Sequence, residues 1–362
     1  MSRPAPGGAR PTIRDIARVA GVSKASVSYA LNDLPGVSAA TRERVLLAAR
    51  ELGWRPSAAA RSLSHARAHA VGLAVARDVE LLGEEPYYMR LVAGMEGVLA
   101  TESVSLLMTV VPDAATAVDV LRRWWAERRV DGVVLTDLLV DDPRLALVAE
   151  LGVPAVVRGG ADEALPGGAG VPTVAVSVEE EREPFAEVVE HLLERGHRRL
   201  ARVSGPSQFQ HTRRRDRAWR EVTTAALGAE QEVVVADYSA RGGLEATRAL
   251  LARAQPPTAV LYDNDVMAAT VVAERRLLGV RVPQDLAVVA GEDSILCRLA
   301  DPSITALRRD VVADGAASAR LLLDLLAGRS PRPLLLAPRE LVLRGSSGTG
   351  LTPPAGASPA RR

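Results

Sequence analysis

From residue 70 onward, short apolar runs return again and again with amphipathic stretches between most of them. The runs are VGLAVA (71–76), SLLMTVV (105–111), GVVLT (132–136), PAVVR (154–158), TVAVSV (173–178), RLARVSG (199–205), EVVVADY (232–238), AVLYDND (259–265) and LAVVAGED (286–293). Near-continuous apolarity over so few residues marks strands buried on both faces. Segments 88–100, 114–128, 183–195 and 265–278 carry helical periodicity. Alternation of this kind specifies parallel sheets covered by helices on both sides. Two groups of four to six strands predict an α/β body of two similar lobes, with a cleft beyond the carboxyl ends of the strands. A last helix at 310–327 and a strand at 339–344 close it. The expected body spans 70–345, with lobe 1 at about 70–172 plus 304–332 and lobe 2 at about 173–303 plus 333–345.

Ahead of this body stands TIRDIARVAGVSKASVSYALN, residues 12–32. Thr12 suits the cap of a first helix, with Asp15 three residues on. Ile13, Ile16, Ala17 and Ala20 share one face. Gly21 suits the left-handed stop, and Ser23 the cap of a second helix that buries Val27, Ala30 and Leu31. Lys24, Ala25, Ser28 and Tyr29 then point outward near its start. Ser38 caps a third helix with Val45, Ala49 and Leu52 inward. A helix-turn-helix of this form places its second helix in a DNA major groove; a generic helical hairpin is the alternative at this point. The expected all-α head is 11–56, preceded by a disordered arm at 1–10. A helix of about two turns follows from Ser57 to Leu63, too short to be stable alone, within a linker at 57–69. Residues 346–362 are expected to be a disordered tail.

Charge separates the same two parts. The 362 residues carry a net charge of only +1, yet residues 1–69 hold eleven Arg or Lys against four Asp or Glu, and the remainder 34 against 40. A basic head on an acidic body suits one nucleic-acid-facing module on a carrier that repels DNA. Cys297 is the only cysteine, which excludes an intramolecular disulfide framework and a thiolate metal cluster. His65, His69, His191, His197 and His211 show no metal-ligand spacing, and neither a metal nor a cofactor is expected. No signal-peptide pattern and no apolar run of membrane length is found, so a cytoplasmic protein without a membrane partner is expected.

The motifs T-I-x-D-I-A-x-x-A-G-V-S-x-x-S-V-S-x-x-L-N (12–32), V-S-x-x-T-R-x-R-V (37–45), P-S-A-x-A-R-S-L (56–63), G-H-R-R-L (196–200) and P-T-A-V (257–260) carry a resemblance to the LacI/GalR family of bacterial transcription regulators over nearly the whole chain. The resemblance implies a homodimer reading a pseudo-palindromic operator, and a periplasmic-binding-protein-like body sensing a small molecule. It implies base reading by Lys24, Ala25 and Tyr29, with Thr12, Ser23, Ser26, Ser28 and Asn32 among the DNA-facing residues. For Tyr29, packing on the third helix is the alternative. Leu63 matches the family's hinge leucine, a wedge for the minor groove at the operator centre, with Arg61 near a phosphate.

Carried over by position, the effector residues are Tyr87 and Tyr88 at the start of a helix, Tyr238, Asn264 and Asp265 in YDND, Glu292 and Asp293 in AGED, and Arg213 and Arg215 in HTRRRDRAW. An aromatic face with carboxylates, an amide and an arginine suits a polyhydroxylated ligand, a sugar. Where relatives have G-Y-D this chain has AGED, which leaves Glu292 and Asp293 as alternatives; the register of Arg213 and Arg215 is open too. Ser177 and Val178 stand where many relatives have an acidic or amide residue. An enzyme is not expected: the chain has no phosphate-binding loop, dinucleotide fingerprint or nucleophile elbow. The reading is a ligand-controlled regulator, a repressor; a stand-alone sugar-binding protein is the alternative, disfavoured by the basic head.

Overall fold

The computed structural model describes residues 11–54, 67–159, 173–177 as backbone, and 181–348. The chain divides into two compact units, Met1–Ala68 and His69–Arg362.

The first unit is three helices, α1 (Ile13–Ala20), α2 (Lys24–Leu31) and α3 (Ala39–Glu51). Asp15 reaches back to the backbone N–H of Thr12 at 2.9 Å and accepts from its hydroxyl at 2.7 Å, fixing the start of α1. Gly21, at φ 64°, ends α1 in the left-handed region. The Ser23 hydroxyl caps α2 by accepting from the Ser26 N–H at 3.1 Å, and Ser38 caps α3 in the same way. Ile16, Ala20, Val27, Ala30, Val45, Ala48 and Ala49 form the core between the helices. Ile13, Ala17, Leu31 and Leu52 pack at its edge.

The second unit contains two six-stranded sheets. The strands in chain order are β1 (Ala70–Ala76), β2 (Ser105–Val111), β3 (Gly132–Leu135), β4 (Ala155–Arg158), β5 (Thr173–Ser177), β6 (Leu200–Ser204), β7 (Glu232–Val235), β8 (Ala259–Tyr262), β9 (Ala287–Ala290), β10 (Thr305–Arg308), β11 (Leu334–Leu335) and β12 (Glu340–Val342). The helices are α4 (Val79–Glu84), α5 (Pro86–Leu99), α6 (Ala114–Ala126), α7 (Pro143–Leu151), α8 (Arg182–Glu194), α9 (Gln210–Leu227), α10 (Ala240–Leu251), α11 (Asp265–Ala273), α12 (Ile295–Leu299) and α13 (Val311–Leu326). Sheet 1 runs β11-β5-β4-β3-β1-β2 and sheet 2 runs β12-β10-β9-β8-β6-β7. Pairing is parallel except for β12 against β10.

Both faces of each sheet are covered, which is why the strands read as apolar throughout. Val71, Leu73 and Val75 of β1 face α5 and α13 through Leu91, Met95 and Leu322. Ala74, Val133 and Leu135 face the other way, onto Val120 and Trp124 of α6. In sheet 2, Val203, Val260 and Val288 meet Leu250 and Met267, while Leu261 and Val289 meet Phe185, Val188 and Trp219.

The lobe boundaries differ from the sequence expectation in three places. Segment 173–177 was expected in lobe 2, but β5 pairs with β4 in sheet 1, Thr173 opposite Ala155. Segment 304–308 was expected in lobe 1, but β10 pairs with β9, Thr305 opposite Val289. Strand β11 joins β5 in sheet 1, so that crossing falls after residue 335. Short apolar runs carry no label for the sheet they join; only the pairing decides. The helix expected to 278 stops at Ala273 and continues as turns, and α4 stands where no helix was expected.

Candidate functional site

In each sheet the strand order reverses beside one strand, at β3-β1-β2 in sheet 1 and β8-β6-β7 in sheet 2. Ligand crevices in open α/β sheets form at such points, beyond the carboxyl ends. A cavity opens there between the lobes. Lobe 1 contributes Arg77 after β1, Glu85 and Tyr87 around the start of α5, Thr136 and Asp137 after β3, and Arg158 and Gly159 at the end of β4. Lobe 2 contributes His211, Arg214 and Arg215 of α9, Tyr238 after β7, Asp263, Asn264 and Asp265 after β8, and Glu292 after β9. Glu181 and Arg309 line it from the connections between lobes.

Of the residues expected at the effector site, Tyr87, Arg215, Tyr238, Asn264, Asp265 and Glu292 line this cavity. Three are placed elsewhere. Tyr88 is wholly buried; its ring packs in the α5 core and its hydroxyl bonds Asp137 and Arg77 behind the wall. Arg213 is exposed and donates to the Ser207 carbonyl at 3.0 Å. Asp293 pairs with Arg344 at 2.8 Å. On α9 the inward positions are 212, 215, 219 and 222, and that periodicity selects Arg215.

Tyr238 sits at φ 71° and is 3% exposed, its hydroxyl bonded to His211 Nε2 at 2.8 Å and Thr212 Oγ1 at 3.2 Å. The guanidinium of Arg77 lies 5.0 Å from the Tyr238 ring and 5.0 Å from that of Phe209. It also bonds Asp137 at 3.1 Å. Tyr87 in turn faces the Arg309 guanidinium at 5.1 Å. Below them Arg202, fully buried, holds Asp263 through two bonds of 2.7 and 2.8 Å. Asn264 caps α11 with its side-chain oxygen and donates to Glu85 at 3.2 Å and to the Tyr238 carbonyl at 2.9 Å, joining the two lobes.

Electrostatics follow from burial and pairing. Burial pushes the Glu85 carboxyl up to about 7, with Arg77 acting against it. Burial alone raises Glu181, but Arg339 and Arg215 outweigh it and hold the carboxyl at about 2. Burial, followed by the fields of Arg215 and Arg77, keeps the His211 imidazole well below its ordinary range, so the ring is neutral. Among the described residues no group of three or more His, Cys, Asp or Glu is arranged to hold a metal ion. The sequence reading missed Arg77, Glu85, Thr136, Asp137, Arg158, Glu181, His211, Arg214, Asp263 and Arg309. The signal for Arg77, Thr136 and Asp137 was present: each directly follows a strand of lobe 1.

In the head, Lys24 and Ala25 are exposed and Tyr29 is 44% exposed, its ring beside Gly36. A shallow groove between the amino ends of α1 and α2 is lined by Thr12, Ile13, Arg14, Lys24 and Ala25. Two helix amino termini and two cations there favour an anionic backbone. Ser23 and Ser26 bond each other, Ser28 is half-buried, and Asn32 turns back to the Ser28 carbonyl at 3.0 Å. Arg61 and Leu63 lie outside the described residues, as does Val178.

Residues 12–57 match the family model for bacterial regulatory proteins of the lacI family, and residues 189–347 that of the periplasmic binding protein-like domain. The HTH-type transcriptional regulator CelR of Thermobifida fusca is 34% identical over 90% of this chain and 95% of its own. A solved complex of transcriptional regulator CelR with cellobiose superposes with a TM-score of 0.67 at 31% identity, over 93% of this chain and 100% of that one. The lac repressor dimer bound to operator and the anti-inducer ONPF gives a TM-score of 0.79 at 26% identity, over 94% and 99%. With head and body matched in this order over nearly the full length, the chain belongs to the LacI family and is a DNA-binding transcriptional regulator.

Proposed function

We propose that this regulator is a sugar-responsive repressor that binds a pseudo-palindromic operator as a homodimer and acts in the cytoplasm. The observation that carries the reading is the cavity itself, walled from both lobes and from the connections between them. A ligand touching both lobes binds their alternative arrangements with different affinities, and only such a difference shifts an equilibrium. Polar groups at every edge and aromatic rings in its lining suit a saccharide. CelR in complex with cellobiose, and the lac repressor dimer on its operator, supply the precedents.

In this reading Lys24 donates to guanine O6 or N7, Ala25 meets a thymine methyl, and Tyr29 offers an edge and a hydroxyl. Thr12, Ser23, Ser26, Ser28, Asn32 and Arg14 set the register on phosphates. Leu63 wedges the central step with Arg61 beside it. Within the cavity, Arg215, Asn264, Asp265 and Glu292 hold the ligand's polar groups, with Tyr87 and Tyr238 at its flanks; Tyr88, Arg213 and Asp293 act behind this layer. The regulator is no enzyme in this reading.

Selection from a randomised duplex library, followed by titration of the selected operator with cellobiose, maltose and other saccharides, tests it. Enrichment of a palindrome and a saccharide-dependent change in operator affinity of at least tenfold are expected. No enriched palindrome refutes the operator reading; an enriched palindrome indifferent to every saccharide refutes the sugar reading. Tyr238→Ala should blunt the saccharide response and keep ligand-free operator binding.

A further inference from the structure

Six carboxyl groups line the cavity: Glu85, Asp137, Glu181, Asp263, Asp265 and Glu292. Four of them stand in ion pairs. Asp137 meets Arg77, Glu181 meets Arg215 and Arg339, Asp263 meets Arg202, and Glu292 meets Arg309. Glu85 and Asp265 form no ion pair among the described residues, although Glu85 is 7% exposed and Asp265 5%. They come from opposite lobes, Glu85 just before α5 and Asp265 as the first residue of α11. The Asn264 amide that bonds Glu85 at 3.2 Å is the residue next to Asp265, so the two carboxyls flank one place in the cleft. In the same cavity the Thr136 hydroxyl, on a residue 2% exposed, has no hydrogen-bond partner among the described residues. Arg77, Arg158, Arg215 and Arg309 are each matched by a carboxylate. The remaining arginine of the lining, Arg214, donates to the Gly159 carbonyl. An anionic ligand would have to displace one of these partners, whereas a cation meets two carboxyls outside any ion pair.

We propose that Glu85 and Asp265 form a subsite for a protonated amine on the effector, with the Thr136 hydroxyl oxygen as a further acceptor. An ammonium carries three N–H donors and no acceptor, which suits carboxyl and hydroxyl oxygens lining one cavity from both lobes. Resting on the sugar-responsive reading, this makes the effector an amino-substituted saccharide. Burial pushes Glu85 up to about 7 and raises Asp265. The groups facing Glu85 are Arg77, Asp137, Asn264 and Asp265; those facing Asp265 include Ser294 and Glu292. A cation seated between the carboxyls favours their charged forms, so binding near pH 6.5 releases a proton.

Isothermal titration of the full chain with the β-1,4-linked glucosamine disaccharide and with cellobiose tests this, since the two share a linkage and differ by amine against hydroxyl. The amine should bind at least tenfold tighter and release protons, read from titrations in buffers of different ionisation enthalpy. Glu85→Gln and Asp265→Asn, each checked by its melting curve, should shrink the preference to within about twofold. Cellobiose binding as tightly as the amine, or a preference that survives both substitutions, overturns the subsite and leaves the sugar reading standing. Binding of spermidine, lost in Glu85→Gln, while neither disaccharide binds keeps the subsite and assigns it to a polyamine instead of an amino-substituted saccharide. No binding by any of the three overturns the subsite, while the saccharide titration of the operator decides the sugar reading.

Discussion

Arg202→Met would test whether buried charge holds the floor of the cavity. Arg202 lies in the middle of β6, fully buried, with its fork on Asp263 at 2.7 and 2.8 Å and its remaining nitrogen on Asp216 at 2.5 Å. Methionine is a flexible, unbranched apolar replacement and supplies no donor. Asp263, 2% exposed, would keep the Gly205 N–H at 3.1 Å and a distant Arg215 at 4.0 Å. Removing one partner of a buried pair costs about 3–5 kcal/mol, and the two surviving contacts place this case near the lower end. For a body of this size about 3 kcal/mol lowers the melting temperature by roughly 6–12 °C.

Thermal and urea denaturation followed by circular dichroism read the effect. The surface pair Arg281–Asp285, four residues apart, is the control, and Arg281→Met should leave the midpoint unchanged. The cost of Arg202→Met should shrink as pH falls, because Asp263, now without its main cation, escapes by taking up a proton. Arg202→Met/Asp263→Leu should recover part of the loss, as apolar pairs often replace buried ion pairs at little cost. A loss below about 1 kcal/mol in the single variant, no greater than in the control, would refute the reasoning.

Helices α5 and α13 touch at backbone level: a methyl group at Gly94 would fall 2.0 Å from the Val312 carbonyl oxygen, and one at Gly315 2.1 Å from that of Leu91. Each Gly→Ala should therefore destabilise the body by about 1–3 kcal/mol or more, and a denaturation midpoint equal to wild type would contradict the packing. His191 and His197 are buried, and burial lowers both to about 4 from an ordinary 6.5. Between those values the unfolded chain binds more protons, so stability falls as pH drops from 6.5 towards 4, by up to about 1.4 kcal/mol per pH unit for each ring; His191→Gln/His197→Asn should flatten that slope. Lys24→Ala or Tyr29→Ala should relax base preference at one half-site position and cost about 1–3 kcal/mol on the preferred operator. Equal losses on operator and random duplex would remove both residues from base reading.

The head was legible almost residue by residue because its signals are local. A cap, a left-handed glycine and an apolar face each act within one or two turns, so Thr12, Gly21, Ser23, Ile16 and Val45 could be placed without knowing the rest. The strands were legible for the same reason. Their partners were not, because β5, β10 and β11 are settled by pairing between residues far apart in sequence. In the cavity, motif position reached Tyr87, Arg215, Tyr238, Asn264, Asp265 and Glu292. Neighbouring positions separate by direction alone: Tyr87 lines the cavity while Tyr88 enters the core, and Glu292 lines it while Asp293 turns to Arg344. The ion pairs that define the cavity's charge join residues up to 158 positions apart, as Glu181 with Arg339, beyond the reach of any spacing rule.

The long-range pairs also supply a physical route for the proposed coupling between ligand and lobes. The chain passes between sheets three times, after β5, after β10 and after β11, and among the described residues these passages carry Glu181 and Arg339, both buried, and Arg309, partly buried. Glu181 binds Arg339 across two passages and Arg215 of α9. Arg339 donates to the Gly291 carbonyl at 2.8 Å, and Arg309 pairs with the adjacent Glu292. Two of the three passages thus present their charge directly to the cavity, and the third does so through Glu181. In a buried network of this kind a displaced partner leaves a charge uncompensated at a cost of several kcal/mol, so a second lobe arrangement would have to re-pair these charges. A ligand needs a differential affinity of only a few kcal/mol to choose between two such arrangements, and the contacts that supply it are those that reach Glu181, Arg215, Glu292 and Arg309 together.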